Sequence, residues 1–222
     1  MNKRTIKLCL ILGALLILLT GIIGLLKNVK IDEFTPTSVI FVVDSSASNQ
    51  GKLKDQKQFI KQLCSRLDPE DTVKIIRVSE DAYLIYEGSA QHSASITKSL
   101  NEFTQYDKKE WGTAYGLGLD KAFSYIQPLA KDGYKTAIVV VGDLENEGAI
   151  EKQINWNKLK QQIKNIQKVS PDIALMFAFA HPQKLDLVKT QLGSVLGESK
   201  LTISTEQTLD KALNKFLLSI SR

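Results

Sequence analysis

The chain has 222 residues, 43% of them hydrophobic and 24% charged, with 29 basic against 24 acidic side chains and a net charge of +5. That excess lies at the start: Lys3, Arg4, Lys7, Lys27 and Lys30 fall in the first 30 positions, where no acid occurs, and the remainder holds 24 residues of each sign. The balance excludes the basic footprint of a nucleic-acid-binding domain. Cys9 in an apolar stretch and Cys64 in a predicted helix exclude an intramolecular disulfide.

Residues 8–26 are uncharged and almost wholly apolar, and about 20 such residues cross a bilayer as a helix. A cleaved signal peptide has a shorter apolar region and a small-residue cleavage site, which Gly21-Ile22-Ile23-Gly24-Leu25-Leu26-Lys27 does not offer. The expectation is an uncleaved anchor over 8–26. Basic residues favour the cytoplasmic side, so Lys3, Arg4 and Lys7 place residues 1–7 in the cytoplasm as a short tail. Residues 27–37, containing Pro36, form a spacer, and 38–222 form one extracytoplasmic domain, long enough for a sizeable core.

The domain opens on a continuous apolar run, Val39-Ile40-Phe41-Val42-Val43, that stops at Asp44. A run without polar alternation predicts a strand buried on both faces, hence a central strand of a parallel α/β sheet. Open sheets of this kind place ligands at the carboxyl ends of their strands. Asp44, Ser46 and Ser48 then offer one carboxylate and two hydroxyls from one loop, and such hard oxygen donors suit Mg²⁺ or Mn²⁺. Asp and Ser are also ordinary turn residues.

Apolar positions at helical spacing predict a helix over 52–67, stopped by Asp68-Pro69-Glu70-Asp71. Two strands follow at 72–78 and 82–87, joined by the polar turn Ser79-Glu80-Asp81, then a short helix at 93–103. Gly112-Thr113 introduces another helix that runs through Tyr125, with Thr113 a candidate ligand, the helix cap, or both. Residues 136–141 are again continuously apolar and end in Gly142-Asp143. Glu145 and Glu147 beyond are expected to be solvated, with either able to hydrogen-bond a metal-bound water. A helix at 156–169, a strand at 173–180, a short helix at 185–192, an edge strand at 201–204 and a closing helix at 208–219 complete the alternation. This predicts an α/β domain with a doubly wound, mostly parallel sheet. His181, with no partner His or Cys nearby in sequence, reads as a loop-packing residue, and Cys64 as a small buried hydrophobe.

The pattern Asp44-x-Ser46-x-Ser48 after a buried strand, a Gly-x-Thr-like loop at Gly112-Thr113 before Ala114-Tyr115-Gly116-Leu117-Gly118-Leu119, and Asp143 at the end of a later apolar strand together resemble the metal-ion-dependent adhesion site of von Willebrand factor A domains. The resemblance covers 38–222 and implies one antiparallel edge strand, formed by the third strand. It implies five metal-site positions, Asp44, Ser46, Ser48, Thr113 and Asp143, holding Mg²⁺ or Mn²⁺. It also implies an open coordination position that accepts an Asp or Glu carboxylate from a partner protein. Three positions depart from the family pattern: Trp111 stands where a small residue is usual, Gly142 where a Thr or Ser is usual, and Leu144 where a Gly is usual.

Membrane-anchored proteins of this kind in bacteria are often subunits of envelope complexes, so the function implied is a membrane-tethered adhesion or adaptor module, or a scaffold subunit that needs no metal. A Mg²⁺-dependent phosphotransfer or hydrolase enzyme using Asp44 as nucleophile is the remaining alternative. Against it, haloacid-dehalogenase-type enzymes carry a second Asp where this chain has Ser46, and response-regulator receivers a Lys where it has His181 before Pro182. The chain has no G-x-x-x-x-G-K-[ST], G-x-S-x-G or H-E-x-x-H motif.

Overall fold

The computed structural model describes residues 35–102, 112–145 and 149–221, apart from the side chains of residues 47, 48 and 50. The chain divides into two units, Met1–Phe34 and Thr35–Arg222. The expected tail and anchor lie outside the described residues. Among the described residues no helix is long and apolar enough to cross a membrane.

Six strands form one sheet: β1 (Thr37–Asp44), β2 (Thr72–Val78), β3 (Ala82–Ser89), β4 (Lys135–Val141), β5 (Ala174–Ala178) and β6 (Leu201–Ile203). Their order is β3-β2-β1-β4-β5-β6, with β3 antiparallel to β2 and the other pairings parallel. Every residue of β1 is buried, as its unbroken apolar run requires. The chain leaves β1 toward β2 on one side and later returns to β4 on the other. The crevice beyond β1 and β4 is therefore the topological switch point of the sheet, where such folds bind ligands. Register brings the two candidate carboxylates to that crevice, since Val43 is paired with Val141 and Asp44 and Gly142 follow directly.

Helices cover both faces. On one lie α1 (Leu53–Cys64), α2 (Ser93–Glu102) and α6 (Leu209–Ile220), packing Phe59, Ile60, Leu100, Leu213 and Phe216 against Val39, Phe41, Val139 and Met176. On the other lie α3 (Tyr115–Lys131), α4 (Trp156–Gln167) and α5 (Leu185–Lys200), packing Leu119, Ile163 and Leu192 against Ile40, Val42, Val140 and Phe177. Each such buried side chain contributes roughly 1.5–3 kcal/mol of transfer free energy, which outweighs the modest helix propensities involved.

Several element bounds differ from expectation, and three of the differences have a visible cause. Helix α3 runs past Tyr125 through Pro128 to Lys131. It buries Ile126 and Ala130 and closes on Gly133 (φ 86°), with Tyr134 N–H donating to Leu129 and Gly133 N–H to Ala130, the hydrogen-bond pair of a glycine-terminated helix end. Helix α5 continues beyond Leu192 to Leu196 because Val188, Leu192 and Leu196 keep a spacing of four and stay buried, and it is broken at Gly197 (φ 70°, ψ 170°) before its last residues to Lys200. Burial of Leu196 there outweighs the cost of about 1 kcal/mol for Gly193 inside a helix. Strand β5 ends at Ala178, since Phe179 has a positive φ of 65°.

Candidate metal centre

Asp44 terminates β1 with its side chain fully enclosed. Its Oδ1 accepts the Ser46 backbone N–H at 2.8 Å, and its Oδ2 accepts both the Asn49 amide and, at 2.7 Å, the Tyr115 hydroxyl. Asn49 is in turn met by Gln56 Nε2 at 3.3 Å. Burial pushes the Asp44 carboxyl up to about 6, opposed by the hydrogen bonds from Ser46 and Tyr115 and reinforced by the charge of Asp143.

Asp143 leaves the end of β4, also buried, with Oδ1 accepting the Glu145 N–H at 2.9 Å. Its carbonyl accepts the His181 N–H at 2.9 Å, so the strand ends of β4 and β5 are stitched together. The Leu144 N–H donates to the Tyr115 hydroxyl at 3.3 Å. That phenol is pushed well above its ordinary value by burial first and by the charges of Asp44 and Asp143 after it, so it stays protonated and donates.

Thr113 is buried on the loop before α3. Its hydroxyl has no hydrogen-bond partner among the described residues. Nor does it cap the helix, because Ala114 holds the cap position and takes no side-chain bond. The loop is fixed by Ala114 N–H donating to Ser79 C=O at 2.7 Å and by Tyr115 reaching Asp44. A buried hydroxyl without a partner costs about 1–3 kcal/mol. Such a group, on a loop tied to Asp44 through Tyr115, is what a cation would relieve, and the donor set of carboxylates and hydroxyls is hard, as Mg²⁺ and Mn²⁺ require. The residues present therefore fit a divalent ion.

Of the five positions read from sequence, Asp44, Ser46, Thr113 and Asp143 come to the carboxyl edge of the sheet. Ser48 belongs to the 3-10 turn Ala47–Lys52, and its side chain lies outside the described residues. Glu145, expected to be solvated, pairs with Lys184 at 3.2 Å and lies 3.9 Å from His181 Nδ1. Glu147 lies outside the described residues. His181 packs its loop as expected, its ring accepting the Gln183 N–H at 3.4 Å. Buried Cys64 has its thiol pushed up to about 12 by burial and so behaves as an inert hydrophobe.

Sequence reasoning missed Tyr115, Asn49 and Gln56. Gln56 carried a signal: it occupies a core-facing position of α1 between Leu53 and Ile60, where an apolar residue would be expected. The two departures at β4 also acquire a cause. A Cβ on Gly142 would stand 2.1 Å from the Tyr115 hydroxyl and 2.6 Å from Asp44 Cβ. Leu144 holds a positive φ of 63°, the conformation that glycine adopts without strain, while keeping its side chain in the core.

The family model described as von Willebrand factor type A domain matches residues 39–149. Solved structures are similar in fold. A von Willebrand factor type A protein from Catenulispora acidiphila superposes with a TM-score of 0.60 at 15% identity, over 84% of this chain and 43% of that one. An aerotolerance-related membrane protein from Bacteroides fragilis gives 0.57 at 16% identity, over 83% of this chain and 98% of that one. Manganese-loaded TRAP protein of Plasmodium vivax gives 0.60 at 10% identity, over 84% and 74%. The chain thus spans less than half of the Catenulispora protein. No curated protein matches it in sequence.

Proposed function

We propose, for a chain that belongs to the von Willebrand factor type A domain family, a divalent-metal-dependent protein-binding module held at a membrane by residues 8–26. Asp44, Ser46, Ser48, Thr113 and Asp143 would hold Mg²⁺ or Mn²⁺, and a bound ion would supply an open coordination position for an Asp or Glu carboxylate of a partner protein. The observation that carries the reading is the Thr113 hydroxyl, buried without a partner on a loop tied to Asp44. The manganese in the TRAP structure and the membrane assignment of the Bacteroides fragilis protein belong to those proteins, and they agree with the reading.

The chain's own groups have clear parts. Ser46, Asn49 and Tyr115 hold the Asp44 carboxylate in one orientation. Asp44 and Asp143 supply only two negative charges, so a metal held there would keep appetite for a third carboxylate. Enclosure of Asp44 and engagement of both its oxygens favour a held carboxylate over a nucleophile exposed to substrate.

Titration of the full chain in detergent with Mg²⁺ and Mn²⁺ by calorimetry, beside Asp44→Ala and Thr113→Ala, tests the site. Binding in the wild type that is abolished by the first change and weakened by the second is the expected result. A folded wild type that takes up no ion at millimolar concentration overturns the reading. The metal-free scaffold reading has one observation in its favour, that protein donors already satisfy Asp44. A membrane assembly that survives EDTA would support it.

A further inference from the structure

We propose that the Tyr115 hydroxyl is a positioning group that ties the three ligand-bearing segments of the centre into one unit, so that metal affinity depends on it although it is not a ligand. The inference rests on the reading of the site as a metal centre. One oxygen touches the end of β1 through Asp44 Oδ2 at 2.7 Å and the loop after β4 through the Leu144 N–H at 3.3 Å. Its own residue opens α3, two positions after Thr113.

The direction of these bonds is fixed by chemistry. The Leu144 amide can only donate and the ionised carboxylate can only accept, so the phenol takes one bond and gives the other. Tyr115 is completely buried, which leaves no water to replace either. The space for the hydroxyl is made by Gly142, where any side chain would collide with it. On the far side of Asp44 Oδ2 the Asn49 amide, backed by Gln56, completes the clamp. Carboxylate orientation is thereby set before an ion arrives, and outer groups that orient ligands in this way commonly change metal affinity by about 10–100-fold.

A core tyrosine with no such role would affect stability and leave affinity per folded molecule unchanged. The test uses the full chain in detergent, with Mn²⁺ affinity measured by electron paramagnetic resonance and amide hydrogen exchange measured in EDTA. Tyr115→Phe, Tyr125→Phe and Asp44→Ala are compared; Tyr125 sits on the same helix beneath Lys74, with 5.0 Å from Nζ to the ring centre. We expect Tyr115→Phe to lose about tenfold or more in Mn²⁺ affinity and to speed exchange at Leu144, with Tyr125→Phe unchanged in both. Wild-type affinity in a folded Tyr115→Phe overturns the proposal and leaves the metal reading standing. Equal failure of wild type and Asp44→Ala to bind Mn²⁺ overturns both. Should Tyr115→Phe not fold, the wild type decides: Mg²⁺ slows exchange at Ser46 and Leu144 together if the segments are tied, and a Leu144 amide indifferent to Mg²⁺ refutes the tie.

Discussion

Gly142 and Tyr115 are complementary: the phenol oxygen occupies the space in which a side chain at 142 would begin, 2.1 Å from where its Cβ would stand. The bare strand end and the tyrosine therefore go together, and each makes sense of the other's presence next to Asp44.

Gly142→Ala is expected to destabilise the domain by about 2 kcal/mol or more, the range of an overpacked core. The flexible neighbour cannot simply give way, because Asp44 Cβ at 2.6 Å is attached to the central strand. Adding Tyr115→Phe removes the nearer collision and keeps the second, so the double variant should recover part of the loss and show clear non-additivity. Urea denaturation in EDTA of the four proteins of the cycle reads this directly, and strict additivity would contradict the geometry.

Thr113→Val separates ligand from structural residue. In EDTA the valine variant should be as stable as wild type or more so, because it removes a buried hydroxyl without a partner and the associated cost of about 1–3 kcal/mol. In Mg²⁺ the order should reverse, since binding stabilises only a competent site. Thermal melts with and without the ion check both halves. Destabilisation of the variant in EDTA would show that the hydroxyl has a structural partner.

The fold was legible because its evidence is local and redundant. Val39 to Val43 and Ala137 to Val141 can be nothing but doubly buried strands, and the amphipathic stretches between them leave few alternatives. Asp44, Thr113 and Asp143 could be placed at one edge by topology alone. Tyr115 was not legible, since an aromatic at the start of a helix reads as core, and only the approach of β4 to β1 turns its hydroxyl toward a carboxylate. The lengths of α3 and α5 were misjudged for a similar reason. Pro128 and Gly193 are breakers by propensity, and burial of Ala130 and Leu196 on the sheet overrides them.

Asp44 gives the metal-free domain a pH dependence of known sign. Its folded value of about 6 lies above the ordinary 3.8, so the native state holds the proton more tightly than the unfolded chain. The stabilisation is complete below about pH 4 and fades as pH rises through about 6. At about 1.4 kcal/mol per pH unit this is on the order of 3 kcal/mol. Other groups titrate too, so the measurement is the difference between wild type and Asp44→Asn in EDTA, which should move in favour of the variant between pH 4 and pH 7. Saturating Mg²⁺, which favours the ionised carboxylate, should restore the wild type at pH 7. A difference that stays flat across this range would mean that Asp44 is better solvated than its enclosure implies.

The expected topology can be tested independently of the metal. Residues 8–26 should keep the full chain in the membrane after an alkaline carbonate wash, whereas a chain beginning at residue 31 should be released. Lys3, Arg4 and Lys7 oppose only Lys27 and Lys30 across the segment, so the orientation rests on a small excess of basic residues. Replacing Lys3, Arg4 and Lys7 by Asn should invert a substantial fraction of molecules. Expressed in a bacterium, the wild-type domain should be cut by protease added to intact spheroplasts, and the variant should be partly protected. Protection of the wild type, unchanged in the variant, would put the domain on the cytoplasmic side, where a carboxylate-bearing partner would have to be sought among cytosolic proteins instead.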